Sequence, residues 1–197
     1  MRIIRLAEPR DGEAVAGIYR PHVAGSAVSF EVDAPSGEEM ARRIEAALSY
    51  APWLSCEEAG TVVGYAYASR HRERAAYRWC VDVSVYVGGG ARRSGVGRAL
   101  YRSLFALLRL QGFCAAHAGI TLPNAASVGL HEALGFRPVG VYPKVGWKNG
   151  RWHDVGWWQL ELLARTGEPP RILTMGELRS STGFEEALAA GGRRAAG

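Results

Sequence analysis

The chain has 197 residues, of which 48% are hydrophobic and 22% charged, and its formal net charge is +5. This composition is enough for one packed domain and excludes a chain disordered throughout. No run approaches the roughly 18 uninterrupted apolar residues of a membrane helix, and the polar start MRIIRLAEPRDGE does not predict a signal peptide. We therefore expect a cytoplasmic protein with no membrane partner.

The predicted elements alternate between strands and helices. Strands are expected at residues 3–7, 53–58, 61–69, 79–87, 113–120, 136–146 and 151–163. Helices are expected at residues 11–19, 36–49, 96–111 and 123–134. Asp11 and Ser36 are candidate N-caps, and Asn149-Gly150 predicts a hairpin turn. The three cysteines are far apart in apolar surroundings, which predicts buried thiols and no metal site.

The composition shifts to Pro, Gly, Ser, Ala and Arg from Gly167 onward. We therefore predict a domain at residues 1–165 and a partly disordered tail at residues 166–197. Within the tail, GFEEALAA has the pattern of two helical turns, whereas the last ten residues are predicted to be disordered.

The strand WCVDVSVYV, residues 79–87, carries a carboxylate in the middle of an apolar run. Because side chains alternate along a strand, Asp82, Ser84 and Tyr86 share one face and the valines share the other. The polar face predicts the border of a cleft, in which Asp82 is a candidate general base. The alternative is an ion pair with a nearby arginine that only stabilises the sheet.

The glycine-rich stretch GGGARRSGVGR lies between this strand and the longest predicted helix. Unpaired N–H groups at a helix start and the helix dipole favour an anion, and glycines allow phosphates to approach the backbone. The stretch lacks the GKS or GKT ending of nucleoside triphosphate loops, and a dinucleotide-binding loop would open the fold rather than follow its fourth strand. A tight connection without a ligand is the alternative.

Three motifs in order resemble the GNAT acetyltransferases: a strand that ends in VYV, the loop RRSGVG, and the segment NAASVGLHEALGF. Further stretches such as IYRPHV, GYAYAS and VGWKNGRWHDVGWWQLEL resemble the branch of phosphinothricin N-acetyltransferases and methionine sulfoximine/sulfone acetyltransferases. The resemblance covers about residues 2–163. It implies the GNAT fold, an α/β (α+β) architecture with a mixed sheet of about seven strands flanked by about four helices.

The resemblance also implies acetyl-CoA as the cosubstrate, with a pantetheine arm along one strand and a pyrophosphate on the glycine loop. The residues it assigns to the cofactor are Val85, Tyr86, Val87, Arg92, Arg93, Ser94, Gly95, Val96, Gly97, Arg98, Asn124 and Ser127. Helical spacing places Asn124, Ser127 and His131 on one stripe, which either faces this cofactor or faces solvent.

Two catalytic residues follow from the resemblance. Asp82 stands where the family usually has glutamate, and because aspartate is one methylene shorter we favour a base that acts through a bridging water. His131 is expected to take part in acid or base chemistry or in positioning. The N–H group of Val85 is expected to polarise the acetyl oxygen.

The acceptor site is expected beside the cluster RHRERAAYR, whose arginines suit a carboxylate or phosphinate. A solvated basic loop is the alternative. The resemblance places Arg72 and Arg74 at substrate-contacting positions with Ser84 beside them, and it implies a homodimer. Phe30, Trp79 and Tyr86 are candidate walls of the substrate site.

The leading hypothesis is therefore an acetyl-CoA-dependent N-acetyltransferase that detoxifies phosphinothricin or methionine sulfoximine/sulfone and so confers herbicide or antibiotic resistance. A second hypothesis is acetylation of protein N-termini or of another small amine. The non-enzymatic alternatives are an acetyl-CoA sensor and a nucleic-acid binder. We expect no nucleic-acid partner, since the sequence has no basic helix with interleaved aromatic residues.

Overall fold

A computed structural model describes residues 2–192, and within them seven strands and six α-helices alternate. The strands are β1 (Arg2–Leu6), β2 (Trp53–Glu58), β3 (Thr61–Arg70), β4 (Cys80–Val87), β5 (Ala115–Leu122), β6 (Arg137–Lys148) and β7 (Arg151–Glu161). The helices are α1 (Gly12–Ala24), α2 (Gly37–Leu48), α3 (Val96–Gln111), α4 (Ala125–Glu132), α5 (Met175–Arg179) and α6 (Phe184–Leu188). The predicted mixed α/β fold is confirmed. The first four helices match predicted ones, and the last two are short.

The strands form a single sheet in the order β1-β2-β3-β4-β5-β7-β6. Every neighbouring pair is antiparallel except β4 and β5, which are parallel. Their register covers only three pairs and ends at Asp82 and His117, although β4 continues to Val87 and β5 to Leu122. The sheet is therefore open at its centre, between the second halves of these two strands.

Helices cover both faces of the sheet. The apolar side of α3, including Leu100, Leu104 and Leu107, is fully buried in the core that contains Val81 and Val83 of β4. On the other face, α1 and α2 form a second core around the stacked aromatic rings of β2 and β3. The predicted alternation of β4 is thus confirmed, because its first valines point to one core and its polar residues to the other side. No helix among residues 2–192 is long and apolar enough to span a membrane.

Two of the three predicted helix caps and turns are present in the structure. Ser36 caps α2 by accepting a hydrogen bond from the Glu39 amide at 3.1 Å. Asn149 and Gly150 both have positive φ, as the predicted β6–β7 hairpin turn requires. Asp11 precedes α1 but makes no side-chain cap. Its buried carboxylate instead accepts hydrogen bonds from the Arg5 guanidinium at 2.7 Å and the Ser55 hydroxyl at 2.9 Å, which ties the start of α1 to β1 and β2.

Part of the segment predicted as a tail, residues 175–188, packs against the domain. Met175, Leu178, Phe184 and Ala187 are buried in the same core as α3, so α5 and α6 complete that side of the domain. The Ser103 hydroxyl of α3 donates to a backbone carbonyl at the end of α6. GFEEALAA forms the predicted helical turns. Of the last ten residues, for which disorder is predicted, residues 193–197 lie outside the described residues.

Candidate active site

The opening between β4 and β5 forms a cleft with a volume of about 60 Å³. Its walls are Ser84, Val85 and Tyr86 of β4 and the facing residues 118–121 of β5. Asn124, Ser127 and His131 close it from the side of α4, and Val28, Val83 and Tyr101 complete the lining. The structure therefore brings four predicted cofactor residues of β4 and the start of α4, one predicted substrate residue and one predicted catalytic residue into one place.

The glycine loop leads from the end of β4 into the first turn of α3. Gly95 is the N-cap of α3 with φ +85°, a left-handed conformation that glycine adopts without strain. The helical ladder starts with the bond from the Ala99 amide to the Gly95 carbonyl at 3.0 Å. The amides of the first turn, residues 96–98, precede that bond and so are helix-start donors for an anion.

The glycine loop and the first turn of α3 carry both exposed and buried side chains. The loop side chains that lie exposed around the start of α3 are Arg92, Arg93, Ser94 and Arg98. Val96 is buried in the core beneath the helix, so only its backbone is available to a ligand. A Cβ added at Gly97 would lie within 4 Å of Val85, Val87 and Leu130, so the absence of a side chain here keeps α3, β4 and α4 close together. The Arg2 guanidinium, far from this loop in the sequence, donates to the Ser94 carbonyl at 3.2 Å and is ion-paired with Glu58 at 2.7 Å.

Asn124 acts both as a helix cap and as part of the cleft wall. Its Oδ1 accepts a hydrogen bond from the Ser127 amide at 3.1 Å, which fixes the first turn of α4. The helical stripe of Asn124, Ser127 and His131 faces the cleft, as one of the two interpretations predicted. Ala126 and Ala133, on other sides of the same helix, are exposed.

His131 is 4% exposed and bonded at both ring nitrogens. Nδ1 lies 2.8 Å from the Ser127 carbonyl oxygen, and Nε2 lies 3.1 Å from the Tyr101 hydroxyl. A carbonyl only accepts, so Nδ1 carries the proton. Burial lowers the pKa of His131, which keeps the ring neutral, and Nε2 therefore accepts a hydrogen bond from the buried Tyr101 hydroxyl.

Asp82 lies at the narrow end of the cleft, where the β4–β5 register ends. Its side chain is 29% exposed, and Oδ1 lies 2.7 Å from Nδ1 of His71. Burial raises the pKa of the Asp82 carboxyl, and the hydrogen bond from His71 opposes that rise. The predicted alternative, an ion pair with an arginine, is replaced by a bond to a histidine.

His71 and His117 are site residues that sequence reasoning missed. Their rings stack with centroids 4.2 Å apart, and Nε2 of His117 lies 3.2 Å from Oε1 of Gln159. One ring nitrogen of each histidine and one carboxylate oxygen of Asp82 lie within 4.8 Å of one another. His71 lies in the basic segment RHRERAAYR, in which the arginines were the expected functional residues. Ser69 pairs with Asp82 across the β3–β4 ladder, and His71 follows Ser69 by only two residues. This short spacing is the signal that could have placed His71 beside the carboxylate.

The predicted substrate residues are not all brought together. Ser84 lines the cleft, and Arg72 lies beside the Asp82 end, where its guanidinium donates to the His71 carbonyl at 2.7 Å and lies over the Trp157 ring at 5.8 Å. Arg74 is exposed at the start of a short 3₁₀ turn. The Phe30 ring packs beneath the β6–β7 hairpin, where it leaves no room for a side chain at Gly146.

A second, larger cavity of about 480 Å³ lies between α2 and the aromatic face of β2 and β3. Trp53, Tyr65 and Tyr67 form its apolar wall, and the Trp53 and Tyr67 rings stack 4.2 Å apart. The cavity extends to Ser69, the cross-strand neighbour of Asp82. Space for an extended ligand thus adjoins the carboxylate on the side of the sheet opposite α3.

A central sheet that splits between two parallel strands, with a glycine loop and a helix start at its wide end, defines the class of GNAT-type acetyltransferases. The family model described as an acetyltransferase (GNAT) domain matches residues 4–157. The chain belongs to this family, and it is an acetyltransferase that acts on an amine.

Curated relatives and a solved structure support this assignment. The chain is 41% identical over 170 residues to the phosphinothricin N-acetyltransferase of Streptomyces viridochromogenes, covering 85% of this chain and 91% of that protein. It is 37% identical to the L-methionine sulfoximine/L-methionine sulfone acetyltransferase of Salmonella typhimurium, covering 81% and 94%. A phosphinothricin acetyltransferase of Sinorhizobium meliloti, solved in complex with acetyl-CoA, superposes with a TM-score of 0.82 at 35% identity, covering 86% of this chain and 93% of that one.

Proposed function

We propose that this protein transfers the acetyl group of acetyl-CoA to the α-amino group of a small amino-acid-like acceptor such as phosphinothricin or methionine sulfoximine/sulfone. The observation that carries the proposal is the position of Asp82, at the vertex of the opening between β4 and β5 and next to the cavity beneath α2. A thioester held in the opening and an amine that enters from the cavity meet beside this carboxylate.

The residues of the opening suit acetyl-CoA. Beyond Asp82 the backbone of β4 has no register partner on the β5 side within the described residues, so Val85, Tyr86 and Val87 can pair with an extended pantetheine arm. The helix-start amides of residues 96–98 and the exposed guanidinium groups around them suit a pyrophosphate. Acetyl-CoA supplies an activated acetyl group, and the chain supplies binding, orientation and a base.

The chemistry requires a neutral amine, because a protonated amine has no lone pair for attack. Free amino groups are mostly protonated near pH 7. Asp82 would accept that proton, directly or through a bridging water, and the N–H group of Val85 would polarise the acetyl oxygen. The neutral amine then attacks the acetyl carbon, the C–S bond breaks, and CoA leaves as the thiol with the second proton that the amine loses. Ser84 lies on the same strand face as Asp82, between the carboxylate and Tyr86, and contributes a polar contact for the acceptor.

For His131 we propose a positioning role. Its neutral ring has no proton to give at Nε2, because that nitrogen accepts from the Tyr101 hydroxyl. The ring instead links Tyr101 of α3 to the first turn of α4, and so sets the width of the cleft. Of the roles left open by the sequence, positioning is the one that this hydrogen-bonding supports.

The acceptor is held by its charged groups. Arg72 is exposed next to the Asp82 end and is anchored by its bond to the His71 carbonyl, which suits a substrate carboxylate. The side chain of the acceptor extends into the cavity beneath α2, where Arg43 and Arg70 are among the lining residues. Detoxification of such amino acids, and the resistance that it confers, is the biological role we propose.

We also propose that the protein is a homodimer that pairs through β6. This strand is at the edge of the sheet, and four of its large apolar side chains are more than half exposed: Val139, Val141, Val145 and Trp147. An exposed apolar edge strand of this length is a template for association with another strand or surface. A second copy of the chain offers an apolar surface of the same kind.

The proposed function is tested by measuring thiol release from acetyl-CoA with a panel of amines. We expect the highest kcat/KM with phosphinothricin, methionine sulfone or methionine sulfoximine, and lower values with other amino acids. Turnover of short peptides or a polyamine in place of these amino acids would overturn the assignment. Thiol release with none of the amines, together with tight acetyl-CoA binding, would favour a sensor.

A further inference from the structure

We infer that His71 is a positioning residue that orients the Asp82 carboxylate and keeps it ionised for proton abstraction. The inference rests on the proposed role of Asp82 as the base. The bond between Nδ1 of His71 and Oδ1 of Asp82 is 2.7 Å long, and the two side chains are 14% and 29% exposed. It is the only hydrogen bond to the Asp82 side chain found among the described residues.

The protonation state of this bond follows from its chemistry. An ionised carboxylate only accepts hydrogen bonds, so Nδ1 of His71 carries the proton and donates it to Oδ1. The second carboxylate oxygen, Oδ2, is then left for the amine or for a bridging water. This arrangement reverses the familiar order of a catalytic triad, because here the carboxylate is the base and the histidine orients it.

The His71 ring is itself held from several sides. It stacks on His117 with an interplanar angle of 17°, and it makes edge contacts with Tyr77 and Trp157. Its backbone carbonyl accepts a bond from the Arg72 guanidinium. A ring fixed in this way loses little side-chain freedom when it bonds the carboxylate, so the geometry of the bond is preorganised.

The hydrogen bond also counters desolvation. Burial raises the pKa of Asp82, which disfavours the ionised form that a base requires, and the bond from His71 has the opposite effect. Arg72 also lowers the pKa of Asp82. The other titratable groups near this cluster among the described residues are Tyr67 on β3, Tyr77 in the short 3₁₀ turn after β3, Cys80 on β4, His117 on β5 and Arg165 after β7.

Two substitutions distinguish the effect of the hydrogen-bond donor of His71 from the effect of its aromatic ring. His71→Phe keeps an aromatic ring against His117 but removes the donor, whereas His71→Asn places an amide N–H near the position of Nδ1. The measurement is the pH dependence of kcat/KM for the best acceptor in the panel, with the KM for acetyl-CoA and the melting temperature of each variant as references.

With His71→Phe we expect the acidic limb of the profile to move to higher pH by about one to two units, since a hydrogen bond to a charged group is lost. At a pH below the limb of both proteins, this shift corresponds to a loss of roughly ten- to hundredfold in kcat/KM. With His71→Asn the limb returns toward its wild-type position. The KM for acetyl-CoA stays within about twofold in both variants, because the pyrophosphate loop is at the other end of β4.

An acidic limb that stays in place in a folded His71→Phe protein would overturn the inference. This outcome differs from failure of the proposed function, in which the wild-type protein acetylates none of the amino acids. It also differs from failure of the base assignment, in which Asp82→Asn retains full activity. A limb that moves equally in His71→Phe and His71→Asn would assign the effect to loss of the ring instead of loss of the donor and would likewise refute the inference.

Discussion

Asp82 and His117 form the last register pair between β4 and β5, and the two strands diverge from that point. The carboxylate in the middle of an apolar strand is therefore not inside a continuous sheet but at the vertex of its opening. The valines on either side of Asp82 in the sequence are buried in the core. One strand thus anchors the fold through one face and presents the carboxylate that we propose as the base through the other.

Substitution of Asp82 tests the chemistry at this vertex. We expect Asp82→Asn to lower kcat by about 100-fold or more at pH 7, because a general base contributes roughly that much. Activity recovers in part above pH 9, where more of the free amine is neutral without a base. Thiol-release rates from pH 6 to 10 measure both effects. Asp33→Asn, in the exposed segment before α2, is the matched control. A pH profile identical to that of the wild type would leave Asp82 a structural residue.

The start of α3 gives a separate test of cofactor binding. Gly95 has φ +85°, so Gly95→Val strains the loop and displaces the helix-start amides. We expect the KM for acetyl-CoA to rise about tenfold or more, with a smaller change in the KM for the acceptor. Gly167→Val is the control, because Gly167 has a similar φ of +74° but follows β7 and has no atoms near its added Cβ. Equal effects of the two substitutions would contradict the pyrophosphate assignment.

The neutral state of His131 predicts a pH dependence of stability. Burial lowers its pKa in the folded protein, whereas the unfolded chain has the ordinary value near 6.5. The unfolded state therefore binds the proton more readily, and stability that is present above about pH 6.5 is lost as the pH falls below it. We expect His131→Asn to have a lower Tm at pH 7.5, by about 3 °C, and a smaller further fall by pH 5.5. Parallel Tm curves for the two proteins would contradict a buried neutral imidazole.

Much of the fold was predictable because its signals are local. The alternation of β4, the Ser36 cap and the positive-φ turn at Asn149-Gly150 depend on a few neighbouring residues, and all three are present. The C-terminal helices were obscured by composition. Proline, glycine and arginine dominate the residues after Gly167, and they conceal the few apolar side chains that α3 buries.

Only part of the candidate site was predictable, because some of its residues are close in the sequence and others come together only through strand pairing. The loop and the α4 stripe are contiguous motifs, whereas the partner of Asp82 depends on strand register. The pairing of Ser69 with Asp82 determines that the chain after β3 runs beside the carboxylate, and register is a property of the assembled sheet. Arginines close in sequence to His71 were the expected partners, but the buried position beside Asp82 is filled by an imidazole that also stacks on His117.

The cavity beneath α2 predicts which variants alter acceptor choice. Ala46 is exposed at the helix surface and lines this cavity, so Ala46→Trp fills part of it without disturbing the core. We expect kcat/KM to fall about tenfold for methionine sulfone and less for glycine, while the KM for acetyl-CoA is unchanged. Glu45→Trp, one residue earlier and outside the cavity lining, is the matched control. Equal losses for the large and the small acceptor would exclude the cavity as the side-chain site.

The exposed face of β6 makes the oligomeric state testable with one substitution. Val141 is 52% exposed on the edge strand, and Val141→Asp places a charge in the proposed dimer contact. An unpaired charge there is costly to bury, so we expect the wild-type protein to have the mass of a dimer and the variant that of a monomer in light scattering at micromolar concentration. Val32→Asp, at a valine that is 82% exposed in the segment between α1 and α2, should leave the mass unchanged. A wild-type protein with the mass of a single chain, or a Val141→Asp variant that stays dimeric, would exclude β6 as the contact.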